Sequence, residues 1–268
     1  MRILHIWDQA GVACILAREH RRRGHEVRIL KRAGYDPFKI SQFYGEPLLD
    51  MDGKAFLKLA VREAGNYDFI HVHSLYKVVP DLRKKHRDAK VVLHYHGSEV
   101  RGRQGDPLKE EAESKSDAIL GSTADLKDHI SSNITHLRNP VDTEHFRPDG
   151  DNVGNGAFTM RTTRGDSQWV LDYLKRNGID LQVDIVDREN NPIPYSQVPT
   201  FLKQYGVYVD IKYIDGTLLA APSKTGLESL ACGLRVLNHE LKYVKGLPED
   251  HRPEVVARKA LDVYGSIA

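Results

Sequence analysis

The sequence has few cysteines and none of the compact motifs that mark metal or dinucleotide proteins. Of its 268 residues only two are cysteines, Cys14 and Cys232, and both fall among apolar neighbours in predicted helices. This usage argues against a disulfide framework, and the absence of C-x-x-C and H-E-x-x-H spacings argues against zinc. No metal site is therefore predicted. The G-x-G-x-x-G fingerprint and the P-loop pattern are also absent, which disfavours NAD.

Neither charge nor hydrophobicity is concentrated along the chain. Lys and Arg number 39 and Asp and Glu number 37, so the formal net charge is only +2 and predicts no nucleic-acid partner. The sequence shows no apolar run long enough to cross a membrane and no secretory signal pattern at its start. We therefore expect a cytoplasmic protein. The basic cluster at 83–87 is interpreted as a solvated helix face, with peripheral contact to acidic lipid as the alternative.

Short apolar segments alternate with helical patterns in the first half of the chain. The segments that predict strands are 3–7, 27–30, 69–72, 91–94 and 118–120. The intervening stretches that predict helices are 11–23, 53–64, 80–87, 107–114 and 124–131. Strands that alternate with helices imply βαβ units and a parallel sheet, so this half is expected to be an α/β domain.

A polar, glycine-rich segment at 149–156 interrupts the alternation and is interpreted as a linker. After it, strands are predicted at 157–161, 181–186 and 207–211, and helices at 167–177, 197–205 and 253–264. The predicted fold is α/β, with two Rossmann-like parallel-sheet domains that face a cleft. The first spans 1–148 and the second, reduced one spans 157–268, and the last helix is a candidate to pack back on the first domain.

Two positions in the first domain are candidates for ligand contact. Gly11 opens a helix directly after the first strand, where backbone N–H groups suit a polar ligand, although a glycine kept only for the tight turn is the alternative. His96 follows the apolar strand that ends near residue 95, and so is expected to point into the crevice. His71, His73 and His94 lie in or beside strand ends and are interpreted as structural.

Two arginines follow the first strand of the second domain. Arg161 and Arg164 lie at its end, next to a helix start, where two guanidinium groups suit a diphosphate. The alternative interpretation is a pair of surface arginines in salt bridges.

The segment at 223–238 is the most informative part of the chain. It is interpreted as a loop, a short helix, a glycine stop at Gly233 and a strand, with Ser223 and Thr225 as N-cap candidates. Glu228 is expected in the first helical turn, where its carboxylate can accept hydrogen bonds from ligand hydroxyls. Free backbone N–H groups beside it suit a phosphate or a sugar oxygen. In the alternative, Thr225 and Glu228 form a capping box and nothing more.

Four segments together resemble glycosyltransferases of the GT-B fold, particularly those of family 4. Residues 11–27 are similar to the family's first helix and second strand, and 96–98 to its active-site histidine segment. The sequence NPVDTEHFRP at 139–148 is very similar to its interdomain signature, N-G-V-D-x-x-x-F-x-P. Residues 227–233, LESLACG, resemble its nucleotide-sugar helix.

The resemblance implies transfer of a sugar from a UDP- or GDP-sugar with retention of anomeric configuration, without a bound metal or other cofactor. By this resemblance, Glu228 holds the donor ribose, Arg161 and Arg164 neutralise the diphosphate, and His96 contacts the transferred sugar. Gly11 permits close approach of donor phosphate or acceptor. The residues expected to serve the charged end of the donor are Ser223, Lys224, Thr225 and Gly226. The acceptor is expected to be a glycan, a lipid-linked molecule or a small molecule.

The sequence departs from the family pattern at its usual E-x7-E pair. Without gaps the first glutamate falls at Ala220, and Asp215 is the candidate substitute from a longer loop. The family's donor-phosphate lysine is also displaced, with Lys212 and Lys224 as stand-ins. Two other functions therefore remain open: a nucleotide-sugar epimerase, which needs cleft carboxylates, and a non-catalytic nucleotide-sugar-binding protein.

Overall fold

The computed structural model describes residues 1–130, 132–148, 150, 154–161, 165–214 and 216–268. The chain divides into two compact units: unit 1 is Met1–Pro140 with Pro253–Ala268, and unit 2 is Val141–Arg252. Unit 2 starts before the linker expected at 149–156, and the last helix lies in unit 1, the domain on which it is a candidate to pack back. Val141 donates its backbone N–H to the carbonyl of His251 at 2.9 Å, which ties the start of unit 2 to its end.

The described strands are short, as is usual for α/β proteins. They are β1 (Arg2–Ile6), β2 (Glu26–Leu30), β3 (Phe69–His73), β4 (Lys90–Tyr95), β5 (Ala118–Gly121), β6 (Thr135–His136), β7 (Gly156–Met160), β8 (Val183–Val186), β9 (Tyr205–Val209), β10 (Lys212–Ile214), β11 (Thr217–Leu219), β12 (Arg235–Leu237) and β13 (Tyr243–Val244).

The described helices mostly connect successive strands. They are α1 (Val12–Arg22), α2 (Ile40–Phe43), α3 (Gly53–Glu63), α4 (Val79–Lys85), α5 (Pro107–Ser114), α6 (Ser167–Arg176), α7 (Val198–Leu202), α8 (Lys224–Ala231) and α9 (Pro253–Ile267). The helix predicted at 124–131 is a 3-10 helix, Ala124–His129. Within the described residues, none of these helices has the length and apolar character needed to cross a bilayer.

Unit 1 is built on a six-stranded parallel sheet in the order β2-β1-β3-β4-β5-β6. Its central strand β3 is buried along its whole length and β4 is buried beyond Lys90, as is usual for a parallel sheet. Ile70 and Val91 belong to a core that also contains Phe56 of α3 and Tyr76. This core confirms the α/β class predicted for the first half of the chain.

The C-terminal helix α9 belongs to unit 1 because it packs on α1. Its Tyr264 hydroxyl lies 2.7 Å from Nδ1 of His71 on β3, and its Ala257 carbonyl lies 3.2 Å from Nε2 of His20 on α1. Tyr264 is fully buried. Residues at the two ends of the chain therefore share one core.

Unit 2 contains a five-stranded sheet in the order β13-β12-β9-β7-β8, and only β13 runs antiparallel to its neighbour. The helix predicted at 197–205 is wrong at its C-terminal end, because α7 stops at Leu202 and Tyr205 already pairs in the sheet. A small antiparallel hairpin of β10 and β11, which the sequence pattern did not predict, follows β9. Cys14 and Cys232 are both buried, as predicted.

Candidate functional site

Gly11 is the N-cap of α1 and has the left-handed backbone φ of 80°. The Asp8 carboxylate accepts hydrogen bonds from Gly11 N at 3.1 Å and from Ala13 N at 2.8 Å. Asp8 in turn lies 3.3 Å from Nζ of Lys31, and both side chains are buried. The N–H group that the sequence pattern offered to a ligand is therefore engaged by Asp8. A side chain at Gly11 would also crowd Ile40, since a built Cβ lies 3.1 Å from its Cγ2.

His96 follows β4 directly and is half-buried. Its backbone N–H donates to the carboxylate of Glu99, which also accepts a hydrogen bond from Ser74 Oγ at 2.9 Å. Gly97 has φ of 129°, and a Cβ there would lie 2.2 Å from the Arg101 guanidinium. Glycine at this position therefore lets the chain turn closely past Arg101, directly after His96.

His96 is the end of a larger group, which we call the histidine ladder: His5, His71, His73, His94 and His96. Sheet register places His5 beside His71 and His73 beside His94. Because side chains alternate along a strand, these imidazoles share one face of the sheet. Ring centroids of His71 and His73, and of His94 and His96, are 4.2 Å apart.

Two rows of ring nitrogens connect the ladder. In one row, His5 Nδ1 lies 2.9 Å from His73 Nε2, and His73 Nδ1 lies 3.1 Å from His96 Nε2. In the other, His71 Nε2 lies 3.2 Å from His94 Nδ1. The sequence pattern places His71 and His73 on one face of a strand end, but it does not bring the five histidines together. Histidines at alternate positions in adjacent predicted strands were the available signal.

Burial lowers the pKa of the four fully buried members of the ladder, and neighbouring cationic groups, mostly imidazoles, lower it further. These rings are therefore neutral near pH 7, and each can offer a nitrogen lone pair. One ring nitrogen from each of His73, His94 and His96 lies within 4.8 Å of the others, and the same holds for His5, His71 and His73.

In unit 2 the N-terminus of α8 is capped by Ser223, as one of the two sequence alternatives predicted. Ser223 Oγ accepts a hydrogen bond from Gly226 N at 2.9 Å, and Ser223 N donates to Asp210 Oδ2 at 2.7 Å. Glu228 is the fifth residue of α8 and so lies beyond the first turn. The expected first-turn position of Glu228 and the capping box with Thr225 are therefore both wrong, because the helix begins at Lys224.

The Glu228 side chain is buried, since the residue is only 4% exposed. Lys224 Nζ lies 4.0 Å from its Oε1, one helical turn away. Burial raises the pKa of Glu228 from 4.5 to about 7, and the charges of Lys224 and Arg188 partly oppose that rise. Burial also lowers the pKa of Arg188, and the negative charge of Glu228 partly opposes that decrease. A carboxylate buried beside two cations is well suited to accept hydrogen bonds from neutral ligand hydroxyls.

Asp210 and Gly226 fix the approach of α8 to the sheet. Asp210 follows β9, and a Cβ at Gly226 would lie 2.3 Å from Asp210 Oδ2. Lys212 Nζ lies 3.9 Å from the other carboxylate oxygen of Asp210. The two lysines named as stand-ins, Lys212 and Lys224, therefore both lie around the start of α8. Sequence reasoning missed Asp210 and Arg188. The available signal was their position, because Asp210 directly follows β9 and Arg188 follows the end of β8 by two residues.

Arg161 lies directly after β7, and its guanidinium pairs with Asp187 Oδ2 at 3.0 Å. Its side chain is 62% exposed, so the guanidinium is accessible from solvent. Ala220 follows β11 and is also exposed, with no carboxylate of its own to complete the E-x7-E pair. Arg164 and Asp215, two further predicted ligands, lie outside the described residues.

Comparison with known proteins gives both a family and a set of similar folds. The model of Glycosyltransferase Family 4 matches residues 10–145. No curated protein sequence matches the chain significantly. An alpha-glucosyltransferase in complex with UDP and a 13-mer DNA containing an HMU base has a TM-score of 0.56 at 13% identity, covering 98% of this chain and 90% of its own. The same type of enzyme with UDP-glucose and DNA containing an abasic site has a TM-score of 0.52 at 14% identity, covering 99% and 91%. Identities this low show a shared GT-B fold.

Proposed function

The chain belongs to glycosyltransferase family 4, and from this membership we propose that it transfers a hexose from a nucleoside-diphosphate sugar with retention of anomeric configuration. The observation that carries the proposal is the buried Glu228 carboxylate on α8, flanked by Lys224 and Arg188. This side chain lies in the segment that resembles the family's nucleotide-sugar helix. A buried carboxylate with a raised pKa has a stability cost that a purely structural helix would not require.

In the proposed donor site, Glu228 accepts hydrogen bonds from the ribose hydroxyls. Lys224, Lys212 and the backbone around Ser223, Thr225 and Gly226 serve the charged end of the donor. Arg161 neutralises the diphosphate as it leaves, because its exposed guanidinium can exchange Asp187 for phosphate oxygens. Stabilising the charge that develops on the leaving group is the largest contribution such an enzyme makes. Arg164 and Asp215 keep the donor-binding roles that the resemblance gives them.

In unit 1, the resemblance assigns His96 to the transferred sugar. Its position at the end of β4 and its half-buried ring support that role. We also retain Gly11 as a position of close approach for donor phosphate or acceptor. Because Asp8 engages its N–H group, we propose that the absence of a side chain, rather than the amide, is what Gly11 contributes.

UDP is the proposed nucleotide, because the similar alpha-glucosyltransferases were solved with UDP or UDP-glucose. The proposed acceptor is a glycan, a lipid-linked molecule or a small molecule, and the transfer step is proposed to need no metal. The DNA in those two structures is not carried over, since the net charge of this chain is only +2. A cytoplasmic location with peripheral membrane contact remains part of the proposal.

The donor-site assignment is tested by comparing UDP with its 2′-deoxy analogue. We expect the wild-type protein to bind UDP about tenfold more tightly, because a lost hydrogen bond to a charged group costs about 1.5 kcal/mol or more. Glu228→Gln should remove most of this preference, whereas Glu240→Gln, at an exposed position in unit 2, should retain it. Titration calorimetry measures both affinities. Equal binding of the two nucleotides by the wild-type protein would contradict the role of Glu228.

Retention is tested by the anomer of the first product. The protein is incubated with UDP-α-glucose and a panel of acceptors that includes DNA. Proton NMR of the reaction should show an α-linked product. Hydrolysis in the absence of acceptor should release α-glucose before mutarotation. A β product would overturn retention while leaving sugar transfer intact.

The second candidate function is non-catalytic binding of a nucleotide sugar, and Ala220 is the observation that favours it. This exposed residue stands where the family's first motif glutamate is expected. Nucleotide sugars that raise the melting temperature but never turn over with any acceptor would favour this candidate. Glucose release or transfer would exclude it.

A further inference from the structure

We propose that His73, His94 and His96 form a binding site for one divalent transition metal ion of the zinc class. One ring nitrogen from each of these residues lies within 4.8 Å of the others. Three imidazoles are a common ligand set for Zn²⁺, and a fourth position then remains for water. The proposal rests on the histidine ladder and shares one residue with the proposed function, His96, whose ring would bind the ion.

One pair of ring nitrogens in the proposed site is already near the spacing that a metal requires. His73 Nδ1 and His96 Nε2 are 3.1 Å apart. Two nitrogens bound tetrahedrally to one Zn²⁺ at about 2.0–2.1 Å lie roughly 3.3–3.4 Å apart. A metal ion that replaced the shared proton would therefore move these rings only slightly. Parallel pairing of β3 with β4 holds His73 next to His94.

The other ring nitrogens of two of the proposed ligands already have hydrogen-bond partners. His73 Nε2 lies 2.9 Å from His5 Nδ1, and His94 Nδ1 lies 3.2 Å from His71 Nε2. Such contacts orient a ligating imidazole and select its tautomer. His94 Nε2 is buried and has no hydrogen-bond partner among the described residues. A metal ion would satisfy this nitrogen, which is otherwise costly to bury.

A carboxylate near the proposed site also favours a cation. The Glu99 carboxylate accepts the backbone N–H of His96 and brings a negative charge close to the proposed site. Neutral ligands with one nearby carboxylate partly compensate a doubly charged ion.

The alternative group, His5, His71 and His73, is less suitable. His71 uses both ring nitrogens, one with the Tyr264 hydroxyl at 2.7 Å and the other with His94. All three of its members are fully buried, whereas His96 is half-buried and gives an ion a route from solvent. We therefore place the ion at His73, His94 and His96.

The first test uses the wild-type protein without any purification tag. After dialysis against a chelator, a Zn²⁺ titration in competition with a chromophoric chelator should give one tightly bound ion per chain. X-ray absorption at the zinc edge should then show three imidazole ligands. Absence of stoichiometric binding, or fewer than three imidazoles, would overturn the proposal, and neither result depends on whether a variant folds.

Three matched glutamine variants identify the ligands. His94→Gln should weaken Zn²⁺ binding about a hundredfold or more, because it removes a ligand. His71→Gln, which changes only an outer contact, should weaken it by about tenfold. His239→Gln, in unit 2, should leave it unchanged. Circular dichroism checks the fold of each variant. A larger loss from His71→Gln than from His94→Gln, or a loss from His239→Gln, would overturn the assignment.

Discussion

Apart from the buried Asp8–Lys31 pair of unit 1, the two units place polar side chains of opposite chemistry along and after their parallel strands. Unit 1 packs neutral imidazoles side by side across β1, β3 and β4. Unit 2 surrounds the start of α8 with charges, from Glu228 and Asp210 to Lys224 and Arg188. Neutral rings can be buried together at little electrostatic cost. Burial of an ionised carboxylate has a large electrostatic cost, which is seen as the raised pKa of Glu228.

The largest expected contrast between the units is the effect of pH on the stability of unit 2. The pKa of Glu228 is about 7 in the folded protein against 4.5 ordinarily, so the folded state binds the extra proton. Stability from this group is therefore complete below about pH 4.5 and is lost as pH rises through about 7. We expect a loss of about 3 kcal/mol in the free energy of unfolding, which Glu228→Gln should abolish.

The pH dependence of the stability of unit 2 can be measured because each unit contains one tryptophan. Trp7 lies in unit 1 and Trp169 in unit 2, so a Trp7→Phe background leaves fluorescence that follows unit 2 alone. Urea unfolding at about pH 5 and about pH 8 gives the pH dependence with and without Glu228→Gln. Glu240→Gln is the matched control at an exposed carboxylate, and should change the dependence little. An identical pH dependence in Glu228→Gln and wild type would show that Glu228 does not carry the effect.

The next largest expected difference between the units is the change in stability when a helical glycine is replaced by alanine. Helix propensity alone favours alanine by about 1 kcal/mol at either position. Gly265 in α9 of unit 1 has open space around a built Cβ, so Gly265→Ala should stabilise that unit. Gly226→Ala should instead destabilise unit 2 by about 2 kcal/mol, because its Cβ would collide with Asp210. Thermal and urea unfolding measure the change in the free energy of unfolding for each variant. A stabilising Gly226→Ala would show that α8 can shift away from the sheet.

The smallest expected effect on stability is at Arg161. Its pair with Asp187 is exposed, so Arg161→Ala should change the free energy of unfolding by less than about 1 kcal/mol. The same variant should weaken UDP binding about tenfold if its guanidinium binds the diphosphate. Arg176→Ala, at the end of α6, is the matched control. Unchanged UDP affinity in Arg161→Ala would remove this residue from the donor site.

The fold was predictable because apolar segments of strand length alternate with amphipathic helices. The family resemblance was predictable from the segments at 139–148 and 227–233. The bounds around α8 were not, because Ser223 and Thr225 are both good caps and the choice depends on Asp210. The Asp210 carboxylate, which follows β9, accepts a hydrogen bond from the backbone N–H of Ser223. The two residues are 13 positions apart, so the local sequence around the helix start does not predict this contact.

The histidine ladder shows a second limit of sequence reasoning. Motif searches find metal ligands that are close in sequence, such as H-E-x-x-H. In a parallel sheet, ligands come from strands separated by a whole helix, so His73 and His94 become neighbours only through register. The hairpin of β10 and β11 was missed for a related reason, because each of its strands is only three residues long.

The return of α9 to unit 1 has a consequence for how the chain folds during synthesis. Unit 2 is an insertion within unit 1, and α9 leaves the ribosome after both. The contact of Tyr264 with His71 joins residues 193 positions apart, and that of Ala257 with His20 spans 237. Unit 2 can fold as soon as it emerges, whereas unit 1 must wait, with its ladder uncovered, until the last helix arrives. The half that is translated first is therefore the half that is completed last.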